Sequence, residues 1–223
     1  MGMIERNKNS SPHNWLLHHY YIRSLKKHAV HLGGRILDIG CGIKPFREII
    51  ESHCEKYIGL EHPASLHGWQ SVDVAGDALV LPFRNESFDA AVSFSVMEHV
   101  PEPQIFLSEA FRVLKPGGRA LLMTPLMWGE HEIPHDYYRY TRYGLRYLAE
   151  KAGFEVISIE PNGGYWSMAI LRFNYWLNRL GKGPWRYLLM PIWLNQYAAL
   201  LLDKIDRAYT VDAATFTTLL KKP

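Results

Sequence analysis

The stretch RILDIGCGIKP, Arg35–Pro45, decides the fold. RILDIG is a short apolar run that stops at Gly40, and the helical stretch PFREIIES follows it. A strand that ends in a glycine turn and feeds a helix opens a βαβ unit, and open parallel sheets bind ligands at the carboxyl ends of such strands. Gly40 and Gly42 suit that place, because a residue without Cβ reaches positive φ and lets a ligand approach the backbone. A dinucleotide fingerprint would ask for a third glycine at position 45. Pro45 stands there and argues against a pyrophosphate site.

Working outward, KYIGLE (56–61), SVDV (71–74), FDAAVSFS (88–95), RALLMTP (119–125), FEVISIE (154–160) and TFTTLLKKP (215–223) read as further strands. Helices are expected around 104–114 and from about 142 to 152, with Leu114-Lys115-Pro116-Gly117-Gly118 as a helix stop and turn. Upstream, residues 11–32 read as a helix with Ser11 as cap, Pro12 in the first turn and Gly33-Gly34 at its end. The alternation predicts an α/β fold: a doubly wound, mostly parallel, seven-stranded Rossmann-like sheet with helices on both faces. Residues 1–223 are read as a single domain, with a cofactor-binding core over 33–163 and a helical insertion over 164–207 before the final strand.

That insertion differs in kind. It carries Trp166, Phe173, Tyr175, Trp176, Trp185, Tyr187, Trp193 and Tyr197, with six Lys/Arg and two acids, Asp203 and Asp206, and it reads as helices broken at Gly181-Lys182-Gly183-Pro184. Aromatic and basic side chains together present an apolar body and a polar tip. The segment is therefore expected to cover an apolar acceptor, to touch a membrane surface peripherally, or to form a homo-oligomer interface. A spanning helix is not expected, since its best apolar run is broken by Pro191 and Asn195-Gln196.

Composition excludes some classes. With 223 residues, 48% hydrophobic and 21% charged, the chain is globular, and a net charge of +3 without a Lys/Arg block gives no nucleic-acid footprint. Cys41 and Cys54 make no disulfide framework and no secretory leader pattern is visible, so a reduced, cytoplasmic protein is expected.

Two patterns carry chemistry beyond the first turn. Glu61 ends the second strand nineteen residues after Gly42, placed to accept hydrogen bonds from two ribose hydroxyls. HEIPH, His131–His135, is a formal match to the H-E-x-x-H zinc pattern, which needs both histidines on one helical face. Pro134 removes a helical donor and pushes Ile133 toward an extended conformation, so the segment is expected to be a loop and not a zinc helix.

In order along the chain, LDIGCG (37–42), GLE (59–61), GDALVLPF (76–83), SFDAAVSFSVMEHV (87–100) and LKPGGRALLMTP (114–125) resemble the class I S-adenosylmethionine-dependent methyltransferases, in the branch of the ubiquinone-pathway and type 11 enzymes. The resemblance implies S-adenosylmethionine as cofactor. It implies that the Gly40/Gly42 turn underlies the methionine part, that Asp38 orients it, and that Glu61 binds the ribose. Asp77 would accept from the adenine amino group, the Ala78 N–H would meet a ring nitrogen, and Ser95 would lie beside the reactive centre.

Within Glu98-His99, His99 is the first candidate for a general base, with His135 the second, because imidazole titrates near neutral pH. Related quinone methyltransferases hold a metal with an additional Glu three residues before the Glu-His pair. Ser95 occupies that position, so no metal is expected. GEHEIPHDYYRYT (129–141) resembles an acceptor-side loop of this branch, with Glu98, His131, Tyr137 and Tyr138 as substrate-facing candidates, Arg139 and Asp136 as a structural brace, and Thr141 as a helix cap. The expected acceptor is a small molecule, a sugar or a lipid-linked intermediate, methylated at a hydroxyl. A non-catalytic binding protein of the same fold is the alternative, and an NAD-dependent oxidoreductase the more remote one.

Overall fold

The computed structural model describes residues 14–65, 68–180, 191–206 and 211–223. Its elements are α1 (Trp15–His28), β1 (Arg35–Ile39), α2 (Arg47–Glu51), β2 (Lys56–Glu61), β3 (Val74–Ala75), β4 (Phe88–Phe94), α3 (Pro103–Val113), β5 (Leu114–Pro125), α4 (Arg142–Lys151), β6 (Glu155–Asn162), α5 (Tyr165–Leu180), α6 (Pro191–Ile205) and β7 (Thr215–Lys221). Short 3₁₀ turns cover Ala29–His31 and Met97–His99. The expected break at 181–184 and the start of the N-terminal helix at Ser11 lie outside the described residues.

The strands form one seven-stranded sheet in the order β3-β2-β1-β4-β5-β7-β6. β1 pairs in parallel with both β2 and β4, β2 with β3, and β4 with β5, whereas β7 runs antiparallel to β5. From β1 the chain steps outward to β2 and β3, then returns across β1 to β4 and β5. Right-handed crossovers taken in opposite directions put their helices on opposite faces, which is the doubly wound arrangement. β1 and β2 are buried along all but their first residue, as strands covered on both faces should be, and this explains their unbroken apolar runs.

Two expected boundaries are corrected. SVDV contributes only Val74 to the two-residue β3, because Asp73 is engaged with neighbours: it accepts the Gly59 N–H at 2.7 Å and pairs with Lys44 Nζ at 2.5 Å. LKPGG is not a turn outside the sheet but the first part of the twelve-residue β5. The turn character survives as an irregularity in pairing, since Phe88 faces Leu114 while Ala90 already faces Arg119. Lys222, the residue just past β7, bridges this bulge, with Gly117 N–H donating to Lys222 O at 2.9 Å and Lys222 N–H to Gly118 O at 2.8 Å.

The described residues divide into two compact units, one of those in Ser24–Glu160 with Thr215–Pro223, the other of those up to Arg23 with those in Pro161–Ala214. In the second unit α5 and α6 pack together, and no helix among the described residues is long and apolar enough to cross a membrane. Its polar centre is Asp203 on α6, whose carboxylate accepts the N–H groups of Gly164 (2.8 Å), Trp166 (3.0 Å) and Ser167 (3.3 Å). Those donors at the start of α5 have no carbonyl one turn earlier within the helix, and a buried carboxylate satisfies several at once. Asp203→Ala should therefore lower the unfolding free energy by about 2 kcal/mol or more, the scale for losing a charged acceptor from buried donors. Urea unfolding of the full chain checks this, with a loss below about 0.5 kcal/mol as the contrary result.

Candidate functional site

The site begins where β1 stops. Gly40 has φ +77° and Gly42 φ +49°, and a Cβ added at Gly40 would lie 2.4 Å from Val96 Cγ2. No L side chain fits there. The turn is held by N–H groups of Gly40 and Cys41 donating to Leu60 O (2.9 and 3.0 Å), and by Gly42 N–H donating to the Glu61 carboxylate at 2.6 Å. Glu61 also accepts the His62 N–H at 3.0 Å, so its carboxylate is oriented by backbone donors and retains lone pairs for a ligand.

Above these strand ends lies a cavity of about 820 Å³. Gly40, Gly42, Glu61, Asp77, Ala78 and Ser95 all line it, which brings six of the seven expected cofactor residues onto one wall. Asp77 folds into a turn, its Oδ1 accepting the Leu79 N–H at 2.8 Å. Ser95 closes β4 with φ +55°.

Asp38, the seventh, does not line the cavity. It is 2% exposed, Tyr57 donates its hydroxyl proton to Oδ2, and Oδ1 has no hydrogen-bond partner. Burial pushes its pKa up to about 7, against the opposing hydrogen bond from Tyr57 and the charge of Lys44. Lys44 is itself buried, with its ammonium 4.9 Å from the centre of the Tyr57 ring.

The opposite wall comes from the HEIPH segment, which is a turn and not a helix: His135 N–H donates to Glu132 O at 3.0 Å. Glu132, Ile133, Pro134, His135 and Tyr137 line the cavity together with His99. His99 Nδ1 lies 2.7 Å from the carbonyl oxygen of His135, so Nδ1 carries the proton and Nε2 is left as an acceptor. His135 Nδ1 meets the Tyr137 hydroxyl at 3.3 Å.

Three expected substrate contacts are corrected: Glu98, His131 and Tyr138 do not line the cavity. Tyr137 lines the cavity with His135, while Tyr138 packs beside the Tyr140 ring at 5.9 Å and donates to Pro101 O at 2.9 Å. Glu98 is 1% exposed, and its backbone carbonyl instead accepts the N–H groups of Tyr137 and Tyr138. His131 is held at the base of the loop by Asp136, which accepts its N–H at 2.9 Å.

The brace expected there is present. Arg139 grips Asp136 with two parallel hydrogen bonds of 2.6 and 2.7 Å, holding that carboxyl well below the usual carboxylate range, and Thr141 Oγ1 caps α4 by accepting Gly144 N–H at 3.1 Å. Glu132 and Ile133 are among the lining residues not expected from the sequence. Both lie inside HEIPH, where the pattern itself draws attention to the two histidines.

Residues 37–122 match the family described as "Methyltransferase domain". The chain is similar to the sterol 24-C-methyltransferase of Yarrowia lipolytica, 30% identical over 141 residues, covering 57% of this chain and 36% of that one. It is also similar to the 24-methylenesterol C-methyltransferase 2 of Oryza sativa subsp. japonica, 31% identical over 185 residues, covering 66% and 50%. The chain thus spans half or less of the length of these relatives. Among solved structures, the [4+2]-cyclase SpnF aligns with a TM-score of 0.63 at 21% identity, over 98% of this chain and 85% of that one, a likeness of fold.

The raised pKa of Asp38 has a sign that can be tested. A carboxyl that ordinarily titrates near 3.8 and here near 7 keeps its proton longer when folded, so its contribution to stability is full at low pH and is lost as pH rises through that window. Asp38→Asn should remove this loss. The stability of the variant relative to the natural chain should increase from pH 4 to pH 7 in denaturant titrations, and a difference that stays flat or reverses would contradict the buried, uncharged Asp38.

Proposed function

We infer, for a chain whose residues 37–122 form a class I S-adenosylmethionine-dependent methyltransferase domain of the type 11 branch, that it transfers the sulfonium methyl group to an apolar, lipid-class small molecule. The observation that carries the reading is the single cavity walled on one side by Gly40, Gly42, Glu61, Asp77 and Ser95 and on the other by the 132–137 turn. Cofactor on the first wall and acceptor on the second would put the two reactants in line, and positioning is the larger part of catalysis for such a displacement. Glu61 would take the ribose hydroxyls, Asp77 and the Ala78 N–H the adenine edge, and the Gly40/Gly42 turn the methionine part. Asp38 would act through Tyr57 and the turn above it.

Acceptor class is read from the second wall. Ile133, 73% exposed at the tip of the turn, and Ile43, 47% exposed, put apolar surface at the cavity, and Tyr137 adds an aromatic face. A hydroxyl on such a molecule is the favoured methyl acceptor, since His135 and His99 stand on the same wall to take the proton that the oxygen releases. The likeness to two sterol C-methyltransferases supports a second reading, transfer to an alkene carbon, in which the cation formed would lose its proton to the same imidazoles.

A membrane-borne acceptor fits the second unit as well. α5 exposes Tyr165, Trp166, Phe173 and Trp176 beside Arg172 and Arg179, a composition suited to the bilayer interface. Co-sedimentation with anionic vesicles should fall at least tenfold when Trp166 and Trp176 are both replaced by serine; undiminished binding, or none by the natural chain, would remove this assignment.

Labelled S-adenosylmethionine incubated with the protein and a lipid extract tests the transfer itself, the labelled product being identified by mass. Glu61→Ala should weaken cofactor binding by about 1–3 kcal/mol, the range for losing the partner of buried polar groups. His135→Ala should lower turnover by ~10²–10⁴-fold with cofactor affinity retained, if oxygen or carbon must lose a proton. Label confined to water-soluble products would overturn the acceptor class, and unchanged calorimetric affinity in Glu61→Ala would overturn the ribose assignment.

A further inference from the structure

Behind the second wall, three side chains converge that the transfer reading leaves without a common purpose. Glu98, His99 and His131 each offer a ligand atom, and these atoms lie within 4.8 Å of one another. Glu98 is buried, and neither carboxylate oxygen receives a hydrogen bond from another residue. A carboxylate in that condition is costly unless a partner faces it.

The histidines are set for the same task. His99 gives its Nδ1 proton to His135 O, which leaves Nε2 with a free lone pair. His131 Nδ1 has two acceptors close by, Gly129 O at 3.1 Å and Asp136 Oδ2 at 3.4 Å. Arg139 Nη2 also stands 3.4 Å from it, but that nitrogen already donates to Gly129 O (3.0 Å) and Asp136 (2.7 Å), so Nδ1 carries the proton and Nε2 faces away as an acceptor. A carboxylate and a carbonyl behind a histidine fix its tautomer in the manner of metal-site outer shells. The two rings meet edge to face with centres 4.6 Å apart.

We propose that Glu98, His99 and His131 bind one divalent transition-metal ion, with an open coordination position toward the cavity. Two imidazoles and one carboxylate suit Zn²⁺ and its late first-row neighbours, whereas Mg²⁺ and Ca²⁺ ask for oxygen ligands. Ligand atoms across a tetrahedral site of this kind lie roughly 3.3 Å apart, so closure takes side-chain movements of about an ångström. Of the three ligands His99 is the one on the cavity wall, so the open position lies on its side of the ion. Ser95 does not enter the set. His131, from the turn, takes the third place, and His99 becomes a ligand while His135 remains as proton acceptor.

The site does not depend on the transfer reading, and its test reads metal and not methyl. Protein purified without a histidine tag and stripped with chelator should take up one equivalent of Zn²⁺, and of Co²⁺ with visible d–d absorption, and its thermal midpoint should rise with either ion. Glu98→Gln and His131→Ala, each checked for fold by circular dichroism, should bind Zn²⁺ at least tenfold more weakly and lose the Co²⁺ spectrum. His135→Ala keeps the backbone carbonyl that orients His99 and should retain the metal. Uptake below half an equivalent, a Co²⁺ spectrum unchanged in both Glu98→Gln and His131→Ala, or loss of metal in His135→Ala alone would overturn the proposal.

Discussion

At the end of β1 there is no room for a side chain at residue 40. Val96, just past β4, fills the space that a Cβ would need, and the chain can turn there only because Gly40 yields both volume and a positive φ. That contact brings the ends of β1 and β4 side by side, and the hydrogen bond from Gly42 N–H to Glu61 ties the end of β2 to the same turn. Three parallel strands thus finish at one point, and the cavity is what remains above them. Ala in place of Gly40 would force Val96 and the turn apart, and with them the two groups of residues that face one another across the cavity.

The sheet was readable for a physical reason. Strands buried on both faces need unbroken apolar runs, so RILDI, KYIGLE and FDAAVSF identify themselves by composition. Where side chains work individually the pattern fails. Asp73 looks like part of a strand but is spent on Gly59 and Lys44, and LKPGG looks like a turn because it is a bulge whose pairing is completed by Lys222, just past β7 and far along the chain. A local reading sees the irregularity and not the partner that absorbs it.

The site shows the same division. Residues at strand ends fall where the βαβ order puts them, so Gly40, Gly42, Glu61, Asp77, Ala78 and Ser95 meet as expected. Asp38 is one residue from the end of its strand and therefore stays inside the protein, bound to Tyr57. In the 131–140 segment, function depends on which side chains turn inward. That is set by the local Arg139–Asp136 pair, which the sequence suggested, and by the Glu98 carbonyl, a long-range contact that residue types alone do not reveal. Pro134 did carry information, since it excluded a helix and left the turn that the structure contains.

β7 is the last strand in chain order, yet it lies inside the sheet, between β5 and β6. On a ribosome, β5 and β6 emerge well before the strand that joins them, and each presents an open row of backbone donors and acceptors in the interval. The buried row Thr215–Leu220 then inserts antiparallel, pairing residue by residue from Thr215 with Pro125 to Lys221 with Arg119. Completion of the sheet is accordingly a late, long-range step, slow by its loop-closure entropy, and the nascent chain is most exposed to edge-to-edge association just before it.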